Sequence, residues 1–338
     1  MARKPSEMSI YRMADEANVS VSTISRVMNN RTGVSDATRQ KINEMLKKYN
    51  FKANYPTPPA QVAVVVHTER VLNDYSSEIF NGISSYLSKH NILASILFGN
   101  DDIKNSIRKH NCAGVIVLLP PKNKKAYFEL SETGLPIMFI DEKIECSGTG
   151  YIDNDATTGI REGVEHLLEL GHKNIAFMYL ECTRSNMIQR FEAYKQLMQE
   201  YNIELHPENI IAVKSSERAN RSLEKCGQEE ILKLLAQNRK ITALMTSTES
   251  LAYGAMCGIH KAKLRIPEDF SLIGFDDLRH SAYTVPPLTT INHPLTEEGY
   301  LAAQAIHKFV DSLGKEPLPR ISLPTSLTVR ESTAPVKQ

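Results

Sequence analysis

The sequence predicts an α/β protein: a small three-helix unit at the N-terminus, then a two-lobed core of parallel sheets flanked by helices. Three observations carry this. From Val62 onward short apolar runs alternate with helical stretches. Residues 1–52 hold 10 Lys+Arg against 5 Asp+Glu, leaving 30 against 34 for the remainder, so the basic surplus sits wholly at the N-terminus. Between these regions Pro56, Pro58 and Pro59 punctuate the chain. With 338 residues and 41% hydrophobic side chains there is material for two or three domains with real cores.

In the N-terminal unit Ile10, Met13, Ala14 and Ala17 fall at i, i+3, i+4 and i+7 behind Ser9, a good cap, which reads as a two-turn amphipathic helix. Ser20 caps a second helix with Ile24, Val27 and Met28 on its apolar side and Ser22, Ser25, Arg26 and Asn29 on the other. Ser35 caps a third, where Ile42, Met45, Leu46 and Tyr49 share a face. Helix, tight turn, helix and supporting helix is the helix-turn-helix plan, whose second helix enters the major groove. Val21, Ser22 and Arg26 are then the base-reading candidates: a guanidinium holds guanine O6 and N7 bidentately, and Val21 packs on a thymine methyl. Ser9, Ser20, Thr23, Ser25, Asn29 and Arg31 suit phosphate contacts, which position the head without specifying sequence.

In the core, the runs VAVVV, ILASILF, AGVIVLL and PIMFI read as strands of one parallel sheet, and NIAFMYL, NIIAV, ITALMT and DFSLIGF as strands of a second. Helical stretches such as SSEIFNGISSYLSKH and TTGIREGVEHLLELGH separate them. Two sheets imply two lobes with a cleft between. Ligands in open α/β sheets sit beyond the carboxyl ends of strands, which makes Asp141, Asp153, Thr248, Glu249, Asp276 and Asp277 candidates. Arg190, opening a helix, offers a planar fork to hydroxyls or a carboxylate, and carboxylates with an arginine suit a polyhydroxylated ligand.

Other classes of function find little support. No run approaches the roughly 18–20 apolar residues of a membrane span, and the polar start MARKPSEMSIYR lacks the apolar centre of a signal peptide, so a cytoplasmic protein is expected. Five widely spaced cysteines, Cys112, Cys146, Cys182, Cys226 and Cys257, suggest neither a disulfide framework nor a zinc site. His166, His172 and His293 show no metal-ligand spacing, and there is no G-x-S-x-G elbow, phosphate-binding G-x-x-x-x-G-K-[ST] loop or H-E-x-x-H helix. Neither catalysis, a cofactor nor a metal is expected.

The stretch SIYRMADEANVSVSTISRVMNNRTGVSDATRQKI closely resembles the headpiece of the lactose-repressor (LacI/GalR) family of transcriptional regulators. YIDNDATTG, GVEHLLELGHKNIAFM, RFEAY, RIPEDFSLIGFDDL, PPLTTI and LPTSLTVREST match, in order, the family's effector-binding core, which is similar in fold to periplasmic sugar-binding proteins. The resemblance implies a helix-turn-helix domain at 1–53, a linker at 54–61, a core at 62–332 and a tail at 333–338. It divides the core into lobe 1 (about 62–152 and 291–318) and lobe 2 (about 153–290 and 319–332), with strand crossings at Ile152–Ala156, Leu288–Asn292 and near Pro317–Ser322. It further implies effector contacts from Asp141, Arg190 and Asp276, with Asn73 and Tyr75 lining the cleft. A repressor of carbohydrate uptake or breakdown genes follows, acting as a homodimer on double-stranded operator DNA. The alternative is a cytoplasmic small-molecule sensing module with weak or lost DNA binding.

Two departures stand out. Where the family usually has Asn-Asp before the helix after ITALM, this chain has Thr248 and Glu249, which points away from the commonest sugars. The family's N-x-x-A-R-x-L hinge helix, which enters the minor groove at the operator centre, is matched only by Asn54; the residues that follow, Tyr55 to Gln61, are about six too few and contain no leucine. Prolines there deny helix donors, so an extended strut of at most about 28 Å is expected in place of a helix. The tail STAPVKQ also lacks the leucine-heptad helix of family tetramers.

Overall fold

The computed structural model describes residues 10–20, 23–24, 27, 34–49, 61–67, 73–99, 102–110, 112–120, 123–144, 146–214, 221–237, 240–312 and 314–337. The chain divides into two compact units, Met1–Pro59 and Ala60–Gln338.

In the first unit α1 (Ile10–Ala17) and α2 (Asp36–Lys48) flank a helical segment that includes Thr23, Ile24 and Val27. The apolar stripes close on one another: Met13, Ala14, Ala17, Ile24, Val27, Ile42 and Met45 form one buried core. Two of the three expected caps form, and the third, Ser9, lies outside the described residues. Ser20 Oγ accepts from the Thr23 amide at 3.1 Å and Ser35 Oγ from the Thr38 amide at 3.3 Å, each worth about 1 kcal/mol. Lys41 donates to the Ala17 carbonyl at 3.0 Å and the Tyr49 hydroxyl to Glu16 at 2.6 Å, tying α2 to α1.

The second unit holds two six-stranded sheets. Lobe 1 contains β1 (Gln61–Val66), β2 (Leu93–Phe98), β3 (Gly114–Leu118), β4 (Ile137–Ile140), β5 (Thr149–Asp155) and β11 (Arg320–Pro324). Their order is β11-β5-β4-β3-β1-β2, all parallel. Helices α3 (Asp74–Lys89), α4 (Ile103–Lys109), α5 (Lys125–Ser131) and α10 (Leu295–Asp311) accompany it. Lobe 2 contains β6 (Ile175–Glu181), β7 (Ile210–Lys214), β8 (Ala243–Thr246), β9 (Ser271–Asp276), β10 (Thr289–Asn292) and β12 (Ser326–Thr328), in the order β12-β10-β9-β8-β6-β7. Only β12 runs antiparallel. Its helices are α6 (Ala156–Glu169), α7 (Ser185–Glu200), α8 (Leu223–Gln237) and α9 (Glu249–Lys261).

β3, β4 and β9 are buried along their whole length, as strands covered on both faces must be, which is why β3 and β4 read as unbroken apolar runs and β9 is apolar between Ser271 and Asp276. In lobe 1 α3 and α10 touch backbone to backbone: a Cβ on Gly82 would lie 1.9 Å from the Thr296 carbonyl oxygen, and one on Gly299 2.1 Å from that of Ile79.

The chain crosses between lobes three times, at Asp155–Ala156, at His293–Pro294 and at Thr325. The second crossing falls just after the expected 288–292, because Thr289–Asn292 pairs with β9 in lobe 2, and the third corrects the expectation of 317–322. Arg320–Pro324 pairs in register with Tyr151–Asp155 of β5, so lobe 1 extends to Pro324. Edge strand β11 has Leu323 as its one buried residue, and no apolar run marks it in the sequence. Thr325 binds the first and third crossings together, donating to the Asp155 carbonyl at 2.6 Å and accepting from the Gly159 amide at 2.9 Å. The linker up to Ala60, and with it the expected absence of a hinge helix, lies outside the described residues.

Candidate functional site

The carboxyl ends of both sheets open on a cavity of about 550 Å³ between the lobes, a volume suited to a small molecule. Of the residues expected there, Asn73 and Tyr75 line it from lobe 1, and Thr248 and Asp276 from lobe 2. Local structure explains their positions. Asn73 caps α3, accepting from the Ser76 amide at 3.0 Å, and Thr248 caps α9, accepting from Leu251 at 3.5 Å. Leu119, Asp141 and Asp276 follow or end their strands with φ of 52°, 58° and 120°. Such left-handed backbone in non-glycine residues is held by its surroundings and concentrates at ligand sites.

Three expected contacts do not line the cavity; they lie beneath it and are hydrogen-bonded to the protein, with Arg190 Nε left unpartnered. Arg190 is fully buried, donating to the Ser247 carbonyl at 2.6 Å and to Asp276 at 3.3 Å, with its guanidinium 3.6 Å from the centre of the Phe275 ring. Asp141 accepts from the Tyr75 hydroxyl and, at 2.8 Å, from the Asn154 amide. Glu249 is fully buried and accepts from Thr290 Oγ1 and the Leu278 amide, both at 2.8 Å, and from the Tyr253 hydroxyl at 3.1 Å. Burial, with no cation in contact, pushes its carboxyl up to about 7. Asp153 and Asp277 are likewise structural: Lys143 lies 3.3 Å from Asp153, and Arg330 holds Asp277 at 2.6 Å.

Sequence reasoning missed His293 and Glu298. His293, in the second crossing, places Nε2 2.9 Å from Glu298 and 3.3 Å from Asp141, and Nδ1 3.3 Å from Asp276. Burial works against a charged imidazole there, but the charges of Glu298 and Asp141 outweigh it and hold His293 well above its ordinary value. Burial likewise pushes Asp141 up, yet His293 and the Tyr75 hydrogen bond bring it down to about 2. Glu298 is pushed up to about 8 by burial and by Asp141. One signal was available: Glu298 occupies the apolar stripe Leu295, Gly299, Ala302 of an amphipathic helix, where a charge needs a reason. Arg184 and Tyr253 also line the cavity without having been expected.

In the N-terminal unit, Ser20 and Thr23 are placed at the start of the middle helix, their hydroxyls 2.8 Å apart. The remaining expected DNA contacts, Val21, Ser22, Arg26, Ser9, Ser25, Asn29 and Arg31, lie outside the described residues.

A small capped helical unit followed by a two-lobed α/β core around a polar cavity defines a class: ligand-sensing proteins that carry a separate helical head. Residues 9–54 match the model of the bacterial regulatory proteins of the lacI family, and residues 164–333 that of the periplasmic binding protein-like domain. The HTH-type transcriptional regulator DegA of Bacillus subtilis is 28% identical over 341 residues, covering 97% of this chain and 98% of DegA. A LacI family transcriptional regulator from Enterococcus faecium, solved with bound ribose, has a TM-score of 0.72 at 26% identity, covering 82% of this chain and 100% of its own. The lac repressor dimer bound to operator and the anti-inducer ONPF gives 0.68 at 22% identity, covering 97% and 99%. The chain belongs to the lacI family of bacterial regulatory proteins.

Proposed function

We propose that this protein is a sequence-specific, operator-binding repressor whose affinity for double-stranded DNA is set by a sugar or sugar derivative held between the lobes. The observation that carries the reading is the cavity: Asn73 and Tyr75 from one lobe and Thr248 and Asp276 from the other converge on it, so one polyhydroxylated ligand can bridge both. Arg190 and Asp141 act through these residues, fixing the Asp276 carboxylate and the Tyr75 hydroxyl from below. A ligand touching both lobes favours one arrangement of the crossings over another, which is a population shift. Ribose in the Enterococcus faecium relative supports the sugar class.

On the DNA side, Val21, Ser22 and Arg26 read bases, and Ser9, Ser20, Thr23, Ser25, Asn29 and Arg31 grip phosphates. The Pro-rich linker replaces a minor-groove wedge, leaving the major groove to supply most of the specificity. Two heads on adjacent half-sites require a homodimer. The exposed apolar side chains Leu93, Ile96 and Phe98 on edge strand β2, with Tyr283 and Val285, are the surfaces that pairing would cover. Among the described residues no helix is long and apolar enough to cross a membrane, in keeping with a cytoplasmic regulator.

A thermal-shift screen of sugars, sugar acids, sugar phosphates and nucleobases tests the effector assignment. A ligand at a hundred times its Kd adds about 2.7 kcal/mol to the folded state. At least one sugar is expected to raise Tm, and Asp276→Ala to abolish that rise. A shift from nucleobases alone, or from nothing, rejects the carbohydrate assignment.

A further inference from the structure

Beneath the cavity floor four buried polar groups converge from separate parts of the chain: Asp141 after β4, Asn154 in β5, His293 in the second crossing and Glu298 in α10. We propose that these four residues form a binding site for a divalent transition-metal ion, zinc by its donor set.

The spacing fits. His293 Nε2 lies 2.9 Å from Glu298 Oε1 and 3.3 Å from Asp141 Oδ1, and the three donor atoms fall within 4.8 Å of one another. The Asn154 amide reaches the same point, its Nδ2 2.8 Å from Asp141 Oδ1 and 3.0 Å from His293 Nε2. Metal bonds of about 2.0–2.2 Å in a tetrahedron place neighbouring donors roughly 3.3–3.6 Å apart, close to the His293–Asp141 separation and about half an ångström wider than that of His293 and Glu298. One imidazole nitrogen and carboxylate and amide oxygens are ligands a borderline ion accepts.

Two unsatisfied atoms point the same way. Asn154 Oδ1 and Glu298 Oε2 are both buried without a hydrogen-bond partner, in residues with no exposed surface. Half a turn about the last side-chain bond of Asn154 exchanges its amide nitrogen for that oxygen, bringing a fourth ligand into place.

The supporting groups are those a metal-bound histidine needs. His293 Nδ1 lies 3.3 Å from Asp276 Oδ1, the carboxylate–histidine–metal arrangement that directs the Nε2 lone pair inward, and the Tyr75 hydroxyl donates to the second Asp141 oxygen. Tyr75 and Asp276 also line the cavity, so the ion would lie one side chain below the effector and couple to it through those two residues. The site stands or falls independently of which effector binds.

Chelator-treated full-length protein titrated with zinc against a chromophoric competitor should bind one equivalent per chain. His293→Gln and Glu298→Gln should each weaken that binding by about 100-fold or more. Cobalt(II) in the wild type should give visible ligand-field bands of a low-coordinate nitrogen and oxygen site, a readout that does not depend on either variant folding. No stoichiometric zinc in the wild type, undiminished binding in folded variants, or thiolate-to-cobalt charge-transfer bands, which would place the ion on cysteine, each overturns the proposal.

Discussion

Glu249 and its neighbour Thr248 show how much one position along a chain decides. Both follow β8 in sequence, and both were expected at the effector. Thr248 lines the cavity, while Glu249 turns into the lobe to meet Thr290, Leu278 and Tyr253. Strand ends are legible in a sequence; the rotation of a side chain in the first turn after one is not. The burial of Glu249 has a measurable consequence. Burial raises its folded-state pKa to about 7, above the ordinary value of 4.5, so between these the folded state holds a proton that the unfolded state has released. Stability from this group is therefore full below pH 4.5 and declines as pH rises toward 7, where it levels off. Glu249→Gln removes the titration. Relative to this variant the wild type should lose on the order of 3 kcal/mol between pH 4.5 and pH 8, read from urea midpoints at both pH values. An unchanged difference would mean that Glu249 is ionised throughout.

Most strands and many helices were readable, because strands of a two-faced parallel sheet must be apolar throughout while their flanking helices keep a polar side. VAVVV lies in β1, and the apolar LIGF of DFSLIGF in β9, for that reason. β11 escaped because an edge strand with a single buried residue carries no such pattern, and the third crossing was misplaced with it. Close helix packing was equally invisible, although its cause is two glycines. Gly299→Ala should gain helix propensity yet lose more, since its Cβ would sit 2.1 Å from the Ile79 carbonyl oxygen and force α10 away from α3. A net cost of about 1–3 kcal/mol and a fall in Tm of roughly 2–6 °C are expected in calorimetry. A Tm at or above that of the wild type would show that the two helices can separate freely.

At the scale of the whole molecule, the division into a helical head and an α/β core could be read from charge asymmetry, helix periodicity and the strand–helix alternation. The assembly beneath the cavity could not. Asp141, Asn154, His293 and Glu298 are brought together by the order of strands in the lobe 1 sheet and by the second crossing, and no local spacing announces them. The head was legible for the opposite reason: its signals are local, with helix caps and apolar stripes in one short stretch that also holds the proposed reading residues. The central claim, that this stretch reads a particular DNA sequence, is tested most directly by fluorescence anisotropy at physiological salt. The wild type and Arg26→Ala would be titrated on DNA from the protein's own upstream region and on a shuffled duplex. The wild type is expected to prefer the upstream DNA by about 1,000-fold or more, and Arg26→Ala to lose about 1–3 kcal/mol of that preference per head. Equal affinity of the wild type for the two duplexes would contradict the account.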